Sequence, residues 1–188
     1  MVAVSHRAWE KIRARTEPPR KRYVSLLDWK EGWLAEGRWP FTPFVAQVMG
    51  VREALIMRLD EGLEAAFDRH DFVARMCRAG ARGIGLQLWP ARDDIMSNCI
   101  TAIQVPEGIS EAEVRLLMNR RYGVVVAGGL KELAGKVWRI GHMGHMAQPM
   151  YVAVALSALE RALHDVGYPV QFGSGVGAAL AAMDEPLV

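Results

Sequence analysis

This chain of 188 residues contains only two cysteines and no long apolar run. Its two cysteines, Cys77 and Cys99, form no CxxC pattern and indicate no disulfide framework, so both are predicted to be small buried hydrophobic residues. No apolar run approaches the length of a membrane span, and the N-terminus lacks the apolar core of a signal peptide. The sequence therefore predicts a soluble cytoplasmic protein with no membrane partner.

The chain also has no excess of charge of one sign, with 23 basic residues, 21 acidic residues and a net charge of +2. Basic residues do cluster near the N-terminus, but Glu10 and Glu17 interrupt the cluster, as is typical of a solvated helix face. A nearly neutral chain has little electrostatic attraction for nucleic acid. The charge pattern thus predicts no nucleic-acid partner.

The first 44 residues combine two short helical patterns with an extended, proline-rich segment. Helices are predicted over residues 6–15, capped by Ser5 and stopped by Pro18-Pro19, and over residues 26–36, ended by Gly37. Residues 38–44 (RWPFTPF) cannot form a regular helix, because each proline removes a backbone donor and restricts the residue before it.

From residue 45 onward, apolar residues keep a helical period over residues 45–77, where two helices meeting at Gly62 are expected. After this helical stretch, apolar and polar residues alternate along the chain. The later predicted elements are strands over residues 86–89 and 99–105, a turn at 106–108, a helix from Ser110 to Arg121 with Glu113 completing a capping box, strands over 124–126 and 136–140, and a helix over 149–166.

This order of elements predicts an α+β fold in which helices cover a small, mostly antiparallel sheet. Residues 1–44 do not share that pattern and are predicted to be the end of a larger structural unit. Residues 45–170 contain the long helical stretch and the α+β unit, whereas the tail over 171–188 is rich in small residues and is predicted to be loosely held.

Arg139 is the leading candidate for chemistry. It lies in a predicted strand, on the same face as Val137 and directly before Ile140-Gly141. A charged side chain is costly to bury without an anion, and a planar guanidinium can bind a carboxylate through two parallel hydrogen bonds. From the pattern alone, pairing with a protein carboxylate or simple exposure remains open.

Other polar and glycine motifs favour structural roles. Gly128-Gly129 lacks the GxGxxG order that would favour dinucleotide binding, so its predicted role is conformational. His142 and His145 have no further ligands nearby in the sequence that would complete a metal site. His70, on the long helical stretch, is predicted to be a hydrogen-bonded structural residue.

The stretch from Tyr122 to Met146 (YGVVVAGGLKELAGKVWRIGHMGHM) resembles the substrate-carboxylate region of the class V aminotransferases, which are fold-type I pyridoxal-phosphate enzymes of the alanine–glyoxylate and serine–pyruvate kind. The resemblance implies that Arg139 binds the α-carboxylate of the amino-acid substrate. It also implies that Thr42 of the Pro-x-Thr-Pro stretch contacts the cofactor phosphate of a partner subunit. The family's nearby tyrosine is missing here, because Trp39 and Phe41 flank Thr42 instead.

Further matches lie along nearly the whole chain: Val4-Ser5 with Arg7-Ala8-Trp9, Arg52–Leu55 with Glu61–Glu64, the pair Arg69-His70, Val105–Gly108, and Gly167–Val170. By resemblance, residues 1–44 are the end of the large domain and the crossover segment, and residues 45–170 are an interdomain helix plus the small C-terminal domain. The family's cofactor lysine has no match among the five lysines, Lys11, Lys21, Lys30, Lys131 and Lys136. We therefore assign no catalytic residue to this chain.

The leading hypothesis is the C-terminal portion of an aminotransferase that moves an amino group between alanine or serine and glyoxylate or pyruvate. Such a chain would act with pyridoxal phosphate as a homodimer or with a partner that carries the N-terminal half. The alternatives are a non-catalytic module derived from the small domain, which pairs with a full-length aminotransferase, and an unrelated small α+β binding protein.

Overall fold

A computed structural model describes residues 2–17 and 24–184 of the chain. These residues divide after Met57 into two compact units, here called unit 1 and unit 2. Among the described residues, no helix combines the length and the apolar character needed to span a membrane.

Unit 1 begins with helix α1 (His6–Arg13), whose N-terminus is capped as predicted: the Ser5 hydroxyl accepts a hydrogen bond from the Ala8 amide. The predicted stop at Pro18-Pro19 lies outside the described residues. The second predicted helix is present over residues 26–36, but its central part, Asp28–Leu34, is a π-helix. Wider π turns are uncommon and cannot be read from a 3.6-residue period.

Gly37, with a φ of +68°, ends this helix as predicted, and an extended segment follows. The aromatic rings of that segment pack on those of the π-helix. Trp39 stacks on Trp33 at a centroid distance of 3.7 Å, and Phe41 meets Trp29 edge-on at 5.0 Å. The proline-rich segment is therefore held by aromatic contacts within unit 1.

Two long helices follow, α2 (Val45–Glu61) and α3 (Leu63–Gly83), and they meet at Gly62 as predicted. Gly62 has a φ of +85°, which other residues rarely adopt, so the chain turns there. Although α2 carries the predicted apolar period, none of its residues is buried. By contrast, α3 buries one face that includes Val73, Met76 and Cys77.

Unit 2 contains a three-stranded antiparallel sheet in the order β1-β3-β2, built from β1 (Ile100–Gln104), β2 (Ala127–Gly128) and β3 (Val137–Gly141). Helices α4 (Glu111–Tyr122) and α5 (Pro149–Asp165) accompany it. The Ser110 hydroxyl accepts from the Glu113 amide at the start of α4, where the sequence predicts a cap. The α+β fold with a small antiparallel sheet is confirmed.

Two predicted strands differ in the structure. Residues 86–89 form only one bridge, from Leu88 to Ile103, because Pro90 follows immediately and cannot donate to a ladder. Residues 124–126 are not a strand, and pairing starts later, at Ala127. The Val124 amide instead donates to the Met118 carbonyl at the end of α4, so it is not available for a sheet.

The tail contains a packed helix, α6 (Ser174–Ala181), where the sequence predicts a loosely held segment. Two contacts explain the difference. Gly80 and Gly83 on α3 let α6 approach closely, since a Cβ added at Gly80 would lie 2.9 Å from the Gly175 carbonyl oxygen. The buried Glu160 carboxylate of α5 accepts the Gly173 and Gly175 amides at the start of α6, at 2.8 and 2.6 Å.

Candidate functional site

Arg139 lies in the middle of the central strand, with Ala102 of β1 and Ala127 of β2 directly opposite it. Its strand neighbours Trp138 and Ile140 point to the other face and are buried in the core. Opposed residues in an antiparallel sheet share a face, so the arginine is flanked by two small side chains. The sheet therefore presents a half-buried arginine between two small residues.

Among the described residues, the guanidinium of Arg139 makes one hydrogen bond, from Nε to the Gly128 carbonyl oxygen at 2.8 Å. Within the described ranges, no carboxylate forms an ion pair with Arg139. The sequence pattern left two alternatives to substrate binding, pairing with a protein carboxylate or simple exposure. The first of these is not observed in the part of the chain that the structure describes. The terminal Nη1 and Nη2 groups can bind a planar anion such as a carboxylate.

Gly128 and Gly129 both lie in closely packed surroundings, which agrees with the predicted conformational role. A Cβ added at Gly128 would lie 2.6 Å from Oε1 of the Glu111 side chain, and one at Gly129 would overlap the Leu133 carbonyl. Neither glycine has a positive φ. Their contribution is thus close approach and not an unusual backbone conformation.

The loop that follows β3, residues 142–148, is held by side chains of α3. Arg69 donates from Nη1 to the carbonyl oxygens of Gly144 and Ala147, both at 2.8 Å, and its other nitrogens bind the Glu61 carboxylate. The Arg69 guanidinium holds the pKa of Glu61 below its usual value. The positive charge of Arg69 therefore fixes the loop that directly follows the strand carrying Arg139.

His70 completes this attachment and is confirmed as a hydrogen-bonded structural residue. Its Nδ1 lies 2.6 Å from the Ala66 carbonyl oxygen, and its Nε2 accepts from the Gly144 amide at 2.9 Å. Both bonds together require a neutral imidazole with its proton on Nδ1, because a carbonyl can only accept.

His142 and His145 do not come together with other ligands to form a metal site among the described residues. His142 is buried and its Nε2 lies 2.8 Å from the Thr101 hydroxyl, whereas His145 is exposed next to Tyr151. In the part of the chain that the structure describes, no three His, Cys, Asp or Glu side chains could hold a metal ion. Burial lowers the pKa of His142 to about 4, and the charge of Arg78 acts in the same direction.

The two cysteines differ from each other. Cys77 is buried as predicted, and burial raises the pKa of its thiol to about 11. Cys99 is only half-buried, contrary to the prediction, because it stands just before β1, where its carbonyl accepts the His142 amide. The Cys77 thiol therefore lacks the lowered pKa of a nucleophile.

Thr42 lies in unit 1, on the extended segment, and its side chain is exposed. Its neighbours Trp39 and Phe41 both pack against Trp29. An exposed hydroxyl can donate to a phosphate oxygen, whereas these two rings provide no phenol hydroxyl. Arg139 and Thr42 belong to different units, and the structure describes each within its own.

Two features of the site were missed at the level of the sequence: the Gly128 carbonyl that binds Arg139, and the attachment of the 142–148 loop to α3. Backbone acceptors leave no signal in a sequence. For the loop, the adjacent pair Arg69-His70 was a usable signal, because it lies in a run of four consecutive polar residues, 68–71, within the helical pattern.

Comparison with known proteins places these features in context. The chain is 42% identical over 184 residues to the pyridoxamine–pyruvate transaminase of Mesorhizobium japonicum, a match that covers 98% of this chain and 47% of that protein. It is 38% identical over 141 residues to the serine–glyoxylate aminotransferase of Arabidopsis thaliana, covering 75% of this chain and 35% of that protein.

Comparison with solved structures also finds an aminotransferase. The pyridoxamine–pyruvate aminotransferase from Mesorhizobium loti superimposes with a TM-score of 0.90 at 42% identity, over 96% of this chain and 46% of that one. No protein-family model matches the chain. The chain spans about half the length of the curated relatives it matches, including 47% of the first and 45% of an aminotransferase from Methanocaldococcus jannaschii.

Proposed function

Because this chain belongs to the class V aminotransferases, we propose that it is the C-terminal portion of an enzyme that moves an amino group between alanine or serine and pyruvate or glyoxylate. Relatives whose names include pyruvate and glyoxylate support the acceptor, and one whose name includes serine supports the donor. The chain acts in a homodimer or with a partner that carries the N-terminal half. Its low cysteine content supports a reducing, cytoplasmic location.

The observation that carries the proposal is the Arg139 guanidinium, held by one hydrogen bond to Gly128 and otherwise without a protein partner among the described residues. In the proposed role, Nη1 and Nη2 donate to the two oxygens of the substrate carboxylate. This contact binds the substrate and fixes its orientation. It gives no proton to the reaction, since a guanidinium stays charged at any physiological pH.

Pyridoxal phosphate is the proposed cofactor, and when bound it serves as the electron sink that stabilises a carbanion. Thr42 is the residue of this chain that the proposal assigns to its phosphate, and the exposed hydroxyl fits that task. Trp39 and Phe41 supply no second hydroxyl, so this segment offers the phosphate fewer hydroxyl groups than it does in the other class V aminotransferases. The absence of the cofactor lysine from this chain stays a prediction.

A second donor deserves a test because a relative at 42% identity is a pyridoxamine–pyruvate transaminase. Pyridoxamine has no carboxylate. If it were the donor here, Arg139 would serve only the 2-oxo acid, whereas with an amino-acid donor it serves both substrates. The two possibilities therefore differ in which half-reaction depends on Arg139.

The experiment joins this chain to the N-terminal half of the Mesorhizobium japonicum relative and measures each half-reaction of the hybrid. Arg139→Ala is expected to lower kcat/KM for alanine, serine and pyruvate by about tenfold to a hundredfold, the range of one charge-assisted bidentate contact. Arg139→Lys is expected to recover only part, because an ammonium lacks the planar guanidinium geometry.

Arg120→Ala is the matched control, since Arg120 is an exposed arginine on helix α4 and not on the sheet. A loss confined to pyruvate would favour the pyridoxamine donor. Equal losses for substrates with and without a carboxylate would overturn the role of Arg139. An inactive hybrid that still binds a full-length aminotransferase would favour the non-catalytic module.

A further inference from the structure

The glycine pair of the Gly128-Gly129 motif does more than allow a turn, because the Gly128 carbonyl is the hydrogen-bond acceptor of Arg139 Nε, at 2.8 Å. Gly128 pairs with Trp138 across the sheet, one position from the Ala127–Arg139 pair. The acceptor thus lies on the strand next to the arginine, within reach of Nε.

Gly128 packs closely against the Glu111 side chain at the start of α4. A Cβ at Gly128 would lie 2.6 Å from Oε1 of Glu111, and that carboxylate is itself buried and bound by Arg115 Nε at 2.8 Å. The Glu111 backbone carbonyl in turn accepts from the Trp138 indole at 3.1 Å. Strand β2 therefore lies closely against the start of α4, and a side chain at residue 128 would require the Glu111 carboxylate or the strand to shift.

A guanidinium has five N–H groups in one plane, and a carboxylate can bind either along the edge with Nε or end-on to Nη1 and Nη2. With Nε donating to Gly128, only the end-on edge remains. We propose that Gly128 is a positioning residue, whose carbonyl orients Arg139 so that Nη1 and Nη2 meet the substrate carboxylate. This inference rests on the proposed carboxylate role of Arg139.

A substitution at Gly128 and its suppression at Glu111 test the inference. Gly128→Ala places a methyl group against the Glu111 carboxylate and is expected to displace the carbonyl from Arg139 Nε. Glu111→Ala removes the obstructing carboxylate. The double variant should therefore regain the carbonyl position that the single Gly128 variant loses, while Glu111→Ala alone is the matched control.

The first measurement is the NMR signal of the Arg139 Nε–H in the full 188-residue chain. In the unaltered chain and in Glu111→Ala, this signal is expected to be slow to exchange with water. In Gly128→Ala it should shift and exchange faster, and in the double variant it should return. Failure of the double variant to restore it, or no change in Gly128→Ala, would overturn the inference.

The second measurement is a titration with pyruvate, with pyruvamide as the matched probe that lacks the carboxylate. Gly128→Ala is expected to weaken pyruvate binding by roughly threefold to tenfold, the effect of one net hydrogen bond, with recovery in the double variant. Pyruvamide binding should not change. Equal pyruvate affinity in all four proteins would contradict the positioning role.

The two proposals fail in different ways. If pyruvate binds no better than pyruvamide to the unaltered chain, and Arg139→Ala changes neither, the carboxylate role itself is wrong and the inference falls with it. If Arg139→Ala abolishes selective pyruvate binding but Gly128→Ala leaves it unchanged, the carboxylate role stands and only the positioning inference is overturned.

Discussion

The ionisation of His142 couples the stability of unit 2 to pH. It is 1% exposed, and its pKa is lowered by burial from an ordinary value of 6.5 to about 4. Between these values the unfolded chain binds a proton that the folded chain does not. The contribution of the neutral imidazole is therefore fully present above pH 6.5 and is lost as the pH falls toward 4.

We expect the free energy of unfolding to decrease between pH 6.5 and 4.5 with a His142 component of at most about 1.4 kcal/mol per pH unit. Urea unfolding at several pH values measures the slope, and His142→Asn should reduce it. His145→Asn, at an exposed histidine, should leave it unchanged. An identical slope in His142→Asn would show that another group is responsible.

At the scale of elements, the close contact of α3 with α6 depends on Gly80 and Gly83 of α3. A Cβ at Gly80 would approach the Leu156 side chain and the Gly175 carbonyl, whereas one at Gly177, on α6, would meet nothing within 4 Å. Gly80→Ala is expected to destabilise the chain by about 1–3 kcal/mol through overpacking. Gly177→Ala should be neutral or stabilising by up to about 1 kcal/mol, since alanine favours helix.

Thermal or urea unfolding of the two glycine variants measures this difference directly. Equal stabilities would mean that α6 does not pack on α3 in solution, as the sequence-based expectation of a loose tail would require.

The loop after β3 permits a second test at this scale. His70→Ala removes the acceptor of the Gly144 amide, so hydrogen exchange at Gly144 should accelerate by roughly tenfold. His70→Gln, whose amide oxygen can accept, should retain part of the protection. The Ile140 amide in β3 serves as the internal reference. Unchanged exchange at Gly144 in His70→Ala would contradict the attachment of the loop to α3.

At the scale of the whole molecule, the exposed apolar surface of α2 predicts association. Val45, Val48, Met49 and Leu55 are each at least 41% exposed. Exposed apolar patches of several hundred Å2 usually mark an interface. The tryptophans of unit 1 are partly covered, because Trp29 and Trp33 both pack on Trp39.

We expect light scattering at micromolar concentration to detect a dimer or larger species. The double variant Val48→Lys/Leu55→Lys should shift the population toward monomer. Gln47→Lys/Ala54→Lys adds the same charge with the same spacing, on side chains that are not large and apolar, and should have a smaller effect. A monomeric unaltered chain would contradict the prediction.

The sequence alone predicted the features that depend on neighbours in the chain. The caps at Ser5 and Ser110, the break at Gly62 and the sheet-forming stretch around Arg139 are all present. Each follows from interactions over a few residues: a side-chain oxygen near an unpaired amide, a backbone conformation open to glycine, or alternation along a strand. The α+β fold could be predicted because these local signals occur in an informative order.

Only the tertiary structure decided what these residues meet. That the Gly128 carbonyl binds Arg139, that Arg69 holds the loop after β3, and that α6 packs on Gly80 are contacts between residues 11, 75 and about 95 positions apart. A backbone carbonyl or a missing Cβ has no chemical signature in the sequence until the fold brings a partner to it. The type of each residue was therefore enough to nominate Arg139, but the packing around it determines which of its atoms remain free to bind a substrate.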